Sequence, residues 1–179
     1  MKRIILAFVL LFSVQGIFAQ KYLSREVYLK FYGETPLETI EAVTNQGSGV
    51  IDAETKKIAF QVLVKSFTFE KALMQEHFNE NYIESDKFPK ATFRGTLEGD
   101  IDFNKTGKQK AMAVGTMNIH GVDKDMSVPV EIEVKDGEIL LSSVFMLSPE
   151  DFNIEIPSVV RDKIAKEMET TLKAQLKKQ

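Results

Sequence analysis

The feature that most constrains the fold of this chain is a two-residue alternation of apolar and polar side chains, repeated in short runs. Between Met126 and Val134, Met126, Val128, Val130, Ile132 and Val134 alternate with Ser127, Pro129, Glu131 and Glu133. Lys57 to Phe67 sets Ile58, Phe60, Val62 and Val64 against Lys57, Gln61 and Lys65, and only Leu63 faces outward against the pattern. Ala91 to Gly99 sets Ala91, Phe93, Gly95 and Leu97 against Thr92, Arg94, Thr96 and Glu98. Successive side chains of a strand point to opposite faces, so each run reads as a strand with one buried face. Leu23 to Tyr32, Thr39 to Asp52 (interrupted at Asn45 to Gly49), Ala111 to His120 and Glu138 to Leu147 complete seven predicted strands. Pro129 lies on an outer face and lacks a ladder donor, which predicts an edge or a bulge there.

Turn chemistry separates the runs at Gly33 to Pro36, Asp52 to Lys56, Asp100 to Gly107 and Gly121 to Asp125, and Asp136-Gly137 is a strong hairpin signal. Strands this close, without helices between them, imply an antiparallel meander and not a parallel α/β sheet. The 179 residues are 44% hydrophobic and show no repeat or composition shift, which suits one domain with a core.

Two segments depart from the rhythm. Phe69 to Asn81 places Phe69, Leu73, Met74 and Phe78 on one face of an amphipathic helix, in the connection after the third strand. Near the C-terminus, Val160, Ile164, Met168, Leu172 and Leu176 recur every four residues, yet Met168, Thr170, Leu172, Ala174 and Leu176 also alternate. Seven strands leave two open edges, and an eighth closes them. The prediction is a short helix over Ser158 to Ala165 and a closing strand over Glu167 to Leu176. The fold class expected is all-β with minor helix: an eight-stranded antiparallel barrel.

Residues 1–19 read as a leader and residues 20–179 as the folded domain. Lys2 and Arg3 precede the eleven-residue run Ile4 to Val14, and Ala19 supplies a small residue at the cleavage position. This is the layout of a secretory signal peptide, cut near Gln20, and the run is shorter than the roughly 20 residues a bilayer span needs. No later stretch approaches that length. Removing Lys2 and Arg3 leaves 21 basic and 26 acidic residues, a charge of −5, so a periplasmic or secreted acidic protein is expected.

Several functions are disfavoured at once. An acidic chain is a poor partner for nucleic acid. The absence of Cys removes disulfides, thiol catalysis and a lipid-modified cysteine. The two histidines, His77 and His120, fall short of the three or four ligands that zinc needs, and no metal is expected. Gly47-Ser48-Gly49 lacks the Lys and helix of a phosphate loop, and Asp100 and Asp102 lack the remainder of a calcium loop. Glu76, Glu80 and Glu84 recur every four residues as a solvated helix face. No Gly-x-Ser-x-Gly elbow is present, and the strands offer no inward-facing titratable pair for catalysis.

The run from Phe67 to Gly95 resembles the central signature of the YceI-like family, and Gly115 to Lys124, leading into Val128-Pro129-Val130, resembles its second. Phe145 to Pro157 is a weaker match, with Asp151-Phe152-Asn153-Ile154 where the family has Asp-Phe-Gly-Ile. The resemblance spans essentially the whole segment after the leader. It implies a lipocalin-like barrel whose interior binds a polyisoprenoid or another long amphipathic lipid, such as an isoprenoid quinone, a polyprenyl phosphate or a fatty-acid-like chain. It also implies an exported, usually periplasmic, protein with no metal, prosthetic group or other cofactor.

On that implication the inward residues become candidate ligand contacts: Phe60, Val62, Val64, Phe93, Met117, Ile119, Val128, Val130, Leu141, Phe145 and Leu147. Phe67, Phe69, Leu73, Met74, Phe78 and Phe152 join them from the connections, and His77, Tyr82 and Ser85 are candidate head-group contacts. Read without the resemblance, each of these apolar residues is better explained as core filling. Three readings stay open at this point: a lipid carrier, an enzyme acting on such a lipid, and an envelope protein with a filled barrel that works through its outer surface. An exposed helix or rim also leaves homodimerisation open.

Overall fold

The computed structural model describes residues 20–179, so the expected leader lies outside the described residues. The elements are β1 (Lys21–Glu34), β2 (Thr39–Asp52), β3 (Lys57–Leu63), β4 (Thr68–Phe69), α1 (Ala72–His77), β5 (Lys90–Glu98), β6 (Gly107–Ile119), β7 (Val122–Lys135), β8 (Glu138–Leu147) and β9 (Met168–Lys178). All pairings are antiparallel. They run β1-β2-β3-β5-β6-β7-β8-β9 and return to β1, which closes an eight-stranded barrel. The two-residue β4 pairs with β2 at Ala42 and Val43, beyond the stretch of β2 that pairs with β3.

The inward faces are those the alternation predicts. Ile58, Phe60, Val62, Phe93, Leu97, Val128, Val130, Ile132, Val134, Ile139 and Leu141 are all buried, and Leu63 is 48% exposed on the outside. The closing strand follows the two-residue rhythm and not the four-residue one: Thr170, Ala174 and Leu176 are buried.

The expected break at Asn45 to Gly49 is instead a pair of compensating bulges. Between the Ser24↔Gly49 and Val27↔Gly47 pairs β1 carries one extra residue, and between Val27↔Gly47 and Leu29↔Thr44 β2 carries one. Each bulge flips the side-chain parity of its strand, so the period-two pattern slips while the ladder continues. Three other boundaries move. β3 stops at Leu63 and gives way to a 3₁₀ turn at Val64–Ser66. The helix expected from Phe69 is confined to Ala72–His77, has no side-chain cap, and ends in a wide turn at Phe78–Tyr82. The helix expected over Ser158 to Ala165 is a 3₁₀ segment at Ser158–Lys163.

The turn expected over Gly121 to Asp125 contracts to His120-Gly121. With φ of 53° and 74°, these residues match the left-handed pair Asp136-Gly137 (51° and 77°) of the β7–β8 hairpin. Such two-residue turns suit the right-handed twist of the strands they join. Pro129 lies on no sheet edge, because β7 pairs with β6 on one side and β8 on the other. The β7–β8 ladder starts only at Glu131↔Ser142, so the proline sits just past its end, and the Ser143 hydroxyl donates to the Pro129 carbonyl at 2.6 Å.

The barrel has two unlike ends. At one, short connections (residues 53–56, 99–106 and 136–137) join the strands, and Tyr22, Ile51, Leu97, Ile101, Phe103, Ile132, Ile139 and Leu176 pack solid. Tyr22 stacks on Phe103 with centroids 6.4 Å apart. At the other, long connections (residues 64–89 and 148–167) fold over the opening. No helix among the described residues is long and apolar enough to cross a membrane.

Candidate functional site

Beneath the long connections the barrel is hollow. A cavity of about 490 Å³ opens there, within the roughly 300–1,000 Å³ typical of small-molecule sites. Of the strand residues singled out by alternation, Phe60, Val62, Val64, Phe93, Met117, Ile119, Phe145 and Leu147 line it. Phe67, Phe69, Leu73, Met74, Phe78, Phe152, His77 and Tyr82 line it from the connections.

Three expected lining residues sit elsewhere. Val128, Val130 and Leu141 are 6%, 5% and 3% exposed within the barrel core and do not line the cavity. Their inward orientation was readable, but their height along the barrel was not. Ser85 also misses the wall: it is almost fully buried, and its backbone N–H donates to the Asn79 carbonyl at 2.8 Å.

Sequence reasoning missed Val27, Leu29, Phe31 and Ile40 from β1 and β2, and Ile154, Ile156, Val160 and Ile164 from the last connection. The β1 bulge hid the first group, since parity changes within the strand. Met168, Thr170 and Leu172 also line the cavity, and the alternation of β9 had marked them as inward.

Four phenylalanines form one flank of the cavity. Phe31 lies 5.2, 5.6 and 5.4 Å from Phe67, Phe69 and Phe78, and Phe69 lies 5.0 Å from Phe78, centroid to centroid. The tilted and edge-on packing is the arrangement that aromatic quadrupoles favour. It ties α1 and β4 to the barrel, so the flank is built by contacts across β1, the β3–β4 turn and α1. Lys71, just before α1, pairs with Glu38 of the β1–β2 connection at 2.7 Å. The Glu38 hydrogen bond holds the Lys71 ammonium above its usual pKa.

His120 joins three connections at this end. Its Nδ1 lies 3.1 Å from the Phe152 carbonyl and its Nε2 3.1 Å from the Glu84 carboxylate, while its ring meets Phe88 edge-on at 4.5 Å. A ring facing two acceptors donates from both nitrogens when it is protonated. The Glu84 carboxyl is held below its usual range, first by Lys87 and then by His120. His120 therefore fastens connections together; His77 is the exposed histidine on the cavity wall.

The model of the YceI-like domain matches residues 26–176, which includes at least part of every barrel strand. The chain belongs to the YceI-like family. Solved structures share the YceI-like fold at low identity. A polyisoprenoid binding domain from Saccharophagus degradans superposes with a TM-score of 0.74 at 12% identity, covering 88% of this chain and 97% of that one. BcnA of Burkholderia cenocepacia gives 0.70 at 14% identity, covering 84% and 95%. A YceI protein of Campylobacter jejuni gives 0.62 at 19% identity, covering 80% and 87%. No curated protein matches the sequence.

Proposed function

We propose that this YceI-like chain is an exported binder and carrier of a long amphipathic lipid, a polyisoprenoid or a chain of similar shape, and not an enzyme. The observation that carries the reading is the hollow half of the barrel, whose wall is almost wholly apolar and aromatic. Burying a chain there contributes about 0.8 kcal/mol per methylene. Ten buried carbons thus contribute about 8 kcal/mol, the same order as the roughly 4–15 kcal/mol that association costs, so only longer chains bind tightly. The description of the Saccharophagus degradans relative as a polyisoprenoid binding domain supports the ligand class. The basic pair Lys2 and Arg3 before the apolar run Ile4 to Val14 supports export to the periplasm or beyond.

The test is native mass spectrometry of the protein exported by its own host, followed by organic extraction. The expected result is a mature N-terminus near Gln20 and a bound species of discrete mass, with fragments spaced by an isoprene or methylene unit. The same spectrum reads how many copies of the chain associate. A ligand-free mass, with no thermal shift on adding quinones, polyprenyl phosphates or fatty acids, overturns the carrier reading in favour of a role for the outer surface.

A further inference from the structure

Thr170 stands out on the cavity wall. It is 6% exposed, and its Oγ1 is buried without any hydrogen-bond partner. Its cross-strand neighbours are Phe31 on β1 and Phe145 on β8, and its same-face neighbours along β9 are Met168 and Leu172. All four are apolar. Two other buried hydroxyls of the barrel are satisfied: Ser143 donates to the Pro129 carbonyl, and Thr44 pairs with Ser66 at 2.8 Å. Tyr82, Thr92 and Ser148 also line the cavity but are only partly buried, so Thr170 carries the buried hydroxyl on the wall. Asn79 Oδ1, the other unpartnered buried side-chain atom among the described residues, lies off the cavity wall. A buried hydroxyl without a partner destabilises a fold, and valine fills the same space without that cost.

We infer that Thr170 is the internal hydrogen-bonding partner for a neutral oxygen carried by the bound lipid. The inference rests on the lipid-binding reading above and adds a chemical class to it. The oxygen is a hydroxyl or carbonyl and not a buried carboxylate or phosphate, because one hydroxyl cannot compensate the desolvation of a full charge. Of the three lysines on the wall, Lys71 pairs with Glu38 and Lys30 with Glu41 at 3.6 Å, while Lys163 is exposed to solvent on the last connection. An ionised head group therefore belongs at the solvent-facing mouth, and the group at Thr170 is uncharged.

The cavity has room for at least about sixteen water-sized groups at ~30 Å³ each, which makes sixteen-carbon probes suitable. The experiment measures displacement of a fluorescent cavity probe by 1-hexadecanol, hexadecane and palmitate, on the exported protein and its Thr170→Val and Thr170→Ser variants. The expected result is that T170V weakens hexadecanol about tenfold and leaves hexadecane unchanged, while T170S retains hexadecanol. Ligand-free T170V should also melt about 2–4 °C higher, because an unpaired hydroxyl has been removed. If hexadecanol binds the wild type and T170V equally, the assignment of Thr170 fails and the carrier reading stands. If palmitate binds best and depends on Thr170, the neutral class is wrong. If none of the three binds the wild type, the carrier reading falls and this inference falls with it.

Discussion

The two ends of this barrel are built from the same strands and obey the same alternation, yet one is solid and the other hollow. On β9, Leu176 is fully buried against Ile139 at the solid end, while Leu172, four residues away on the same face, lines the cavity. On β5 and β6, the Leu97↔Ala113 pair lies in the core, and the Phe93↔Met117 pair lines the cavity. The difference arises at the connections. Short turns let side chains from all eight strands converge, and Ile101 and Phe103 of the β5–β6 connection cap them. The long connections at the other end roof the opening at a distance, with Met74, Phe78, Ile154 and Val160 facing inward. Stability is thereby concentrated at one end, and the other end keeps space for a ligand.

That division is most directly broken by truncating a leucine in each half. Leu176→Ala should cost about 3 kcal/mol, because it removes a fully buried side chain and leaves a void in close packing. Leu172→Ala faces space that is already empty and should cost about 1 kcal/mol. Urea denaturation of the two variants measures the contrast; equal losses would mean that the hollow half bears as much of the stability as the solid one.

Enlarging a small residue makes the converse comparison. Ala113 is 2% exposed in the core, and Ala113→Phe should destabilise by about 2 kcal/mol through overpacking. Ala91 lines the cavity, so Ala91→Phe should leave the melting temperature nearly unchanged while lowering lipid binding at least about tenfold. Thermal melts and probe displacement on the two variants separate the effects. If A91F binds lipid normally, the cavity is not the binding site.

Between the halves, Gly95 and Gly115 face each other across β5 and β6, one inward step from each region. A Cβ on Gly115 would run into the Arg94 carbonyl oxygen of the facing strand, and one on Gly95 into that of Val114. The two strands approach closely only because both positions lack a side chain. Gly115→Ala should therefore cost about 1–2 kcal/mol, read by the same denaturation, with lipid binding less affected than in A91F.

Alternation made the inward faces of β3, β5, β7, β8 and β9 legible because a one-residue slip would expose a whole apolar set. The same logic failed on β1 and β2. Their compensating bulges change parity mid-strand, and Asn45 to Gly49 carries turn-forming residues that read as a break when the chain in fact continues. The candidate site was legible in kind and not in position. A period-two pattern says which residues face in, but Val128 and Phe145 look alike until strand register sets their heights. Thr170 was visible as an inward residue of the last strand. Its missing partner depends on Phe31 and Phe145, which only the closed sheet brings beside it.

The smallest expected effect sharpens the comparison at the hollow end, where connections and not core packing hold the roof. Glu84 accepts hydrogen bonds from Lys87 and lies against His120 Nε2, and both hold its carboxyl below the usual value. A carboxyl with a depressed folded pKa contributes stability in full above its unfolded value of about 4.3, and the contribution fades as pH falls through the folded pKa. Glu84→Gln removes that dependence. The wild type should lose denaturation midpoint more steeply than E84Q below about pH 4.3. Since Glu84 and His120 join the connection before β5 to the β6–β7 hairpin, the change should be local. Hydrogen exchange in the connection before β5 should quicken in E84Q, while amides around Ile132 and Leu176 keep the wild-type rate. Quickening at both ends would mean that the roof and the solid end unfold as one unit.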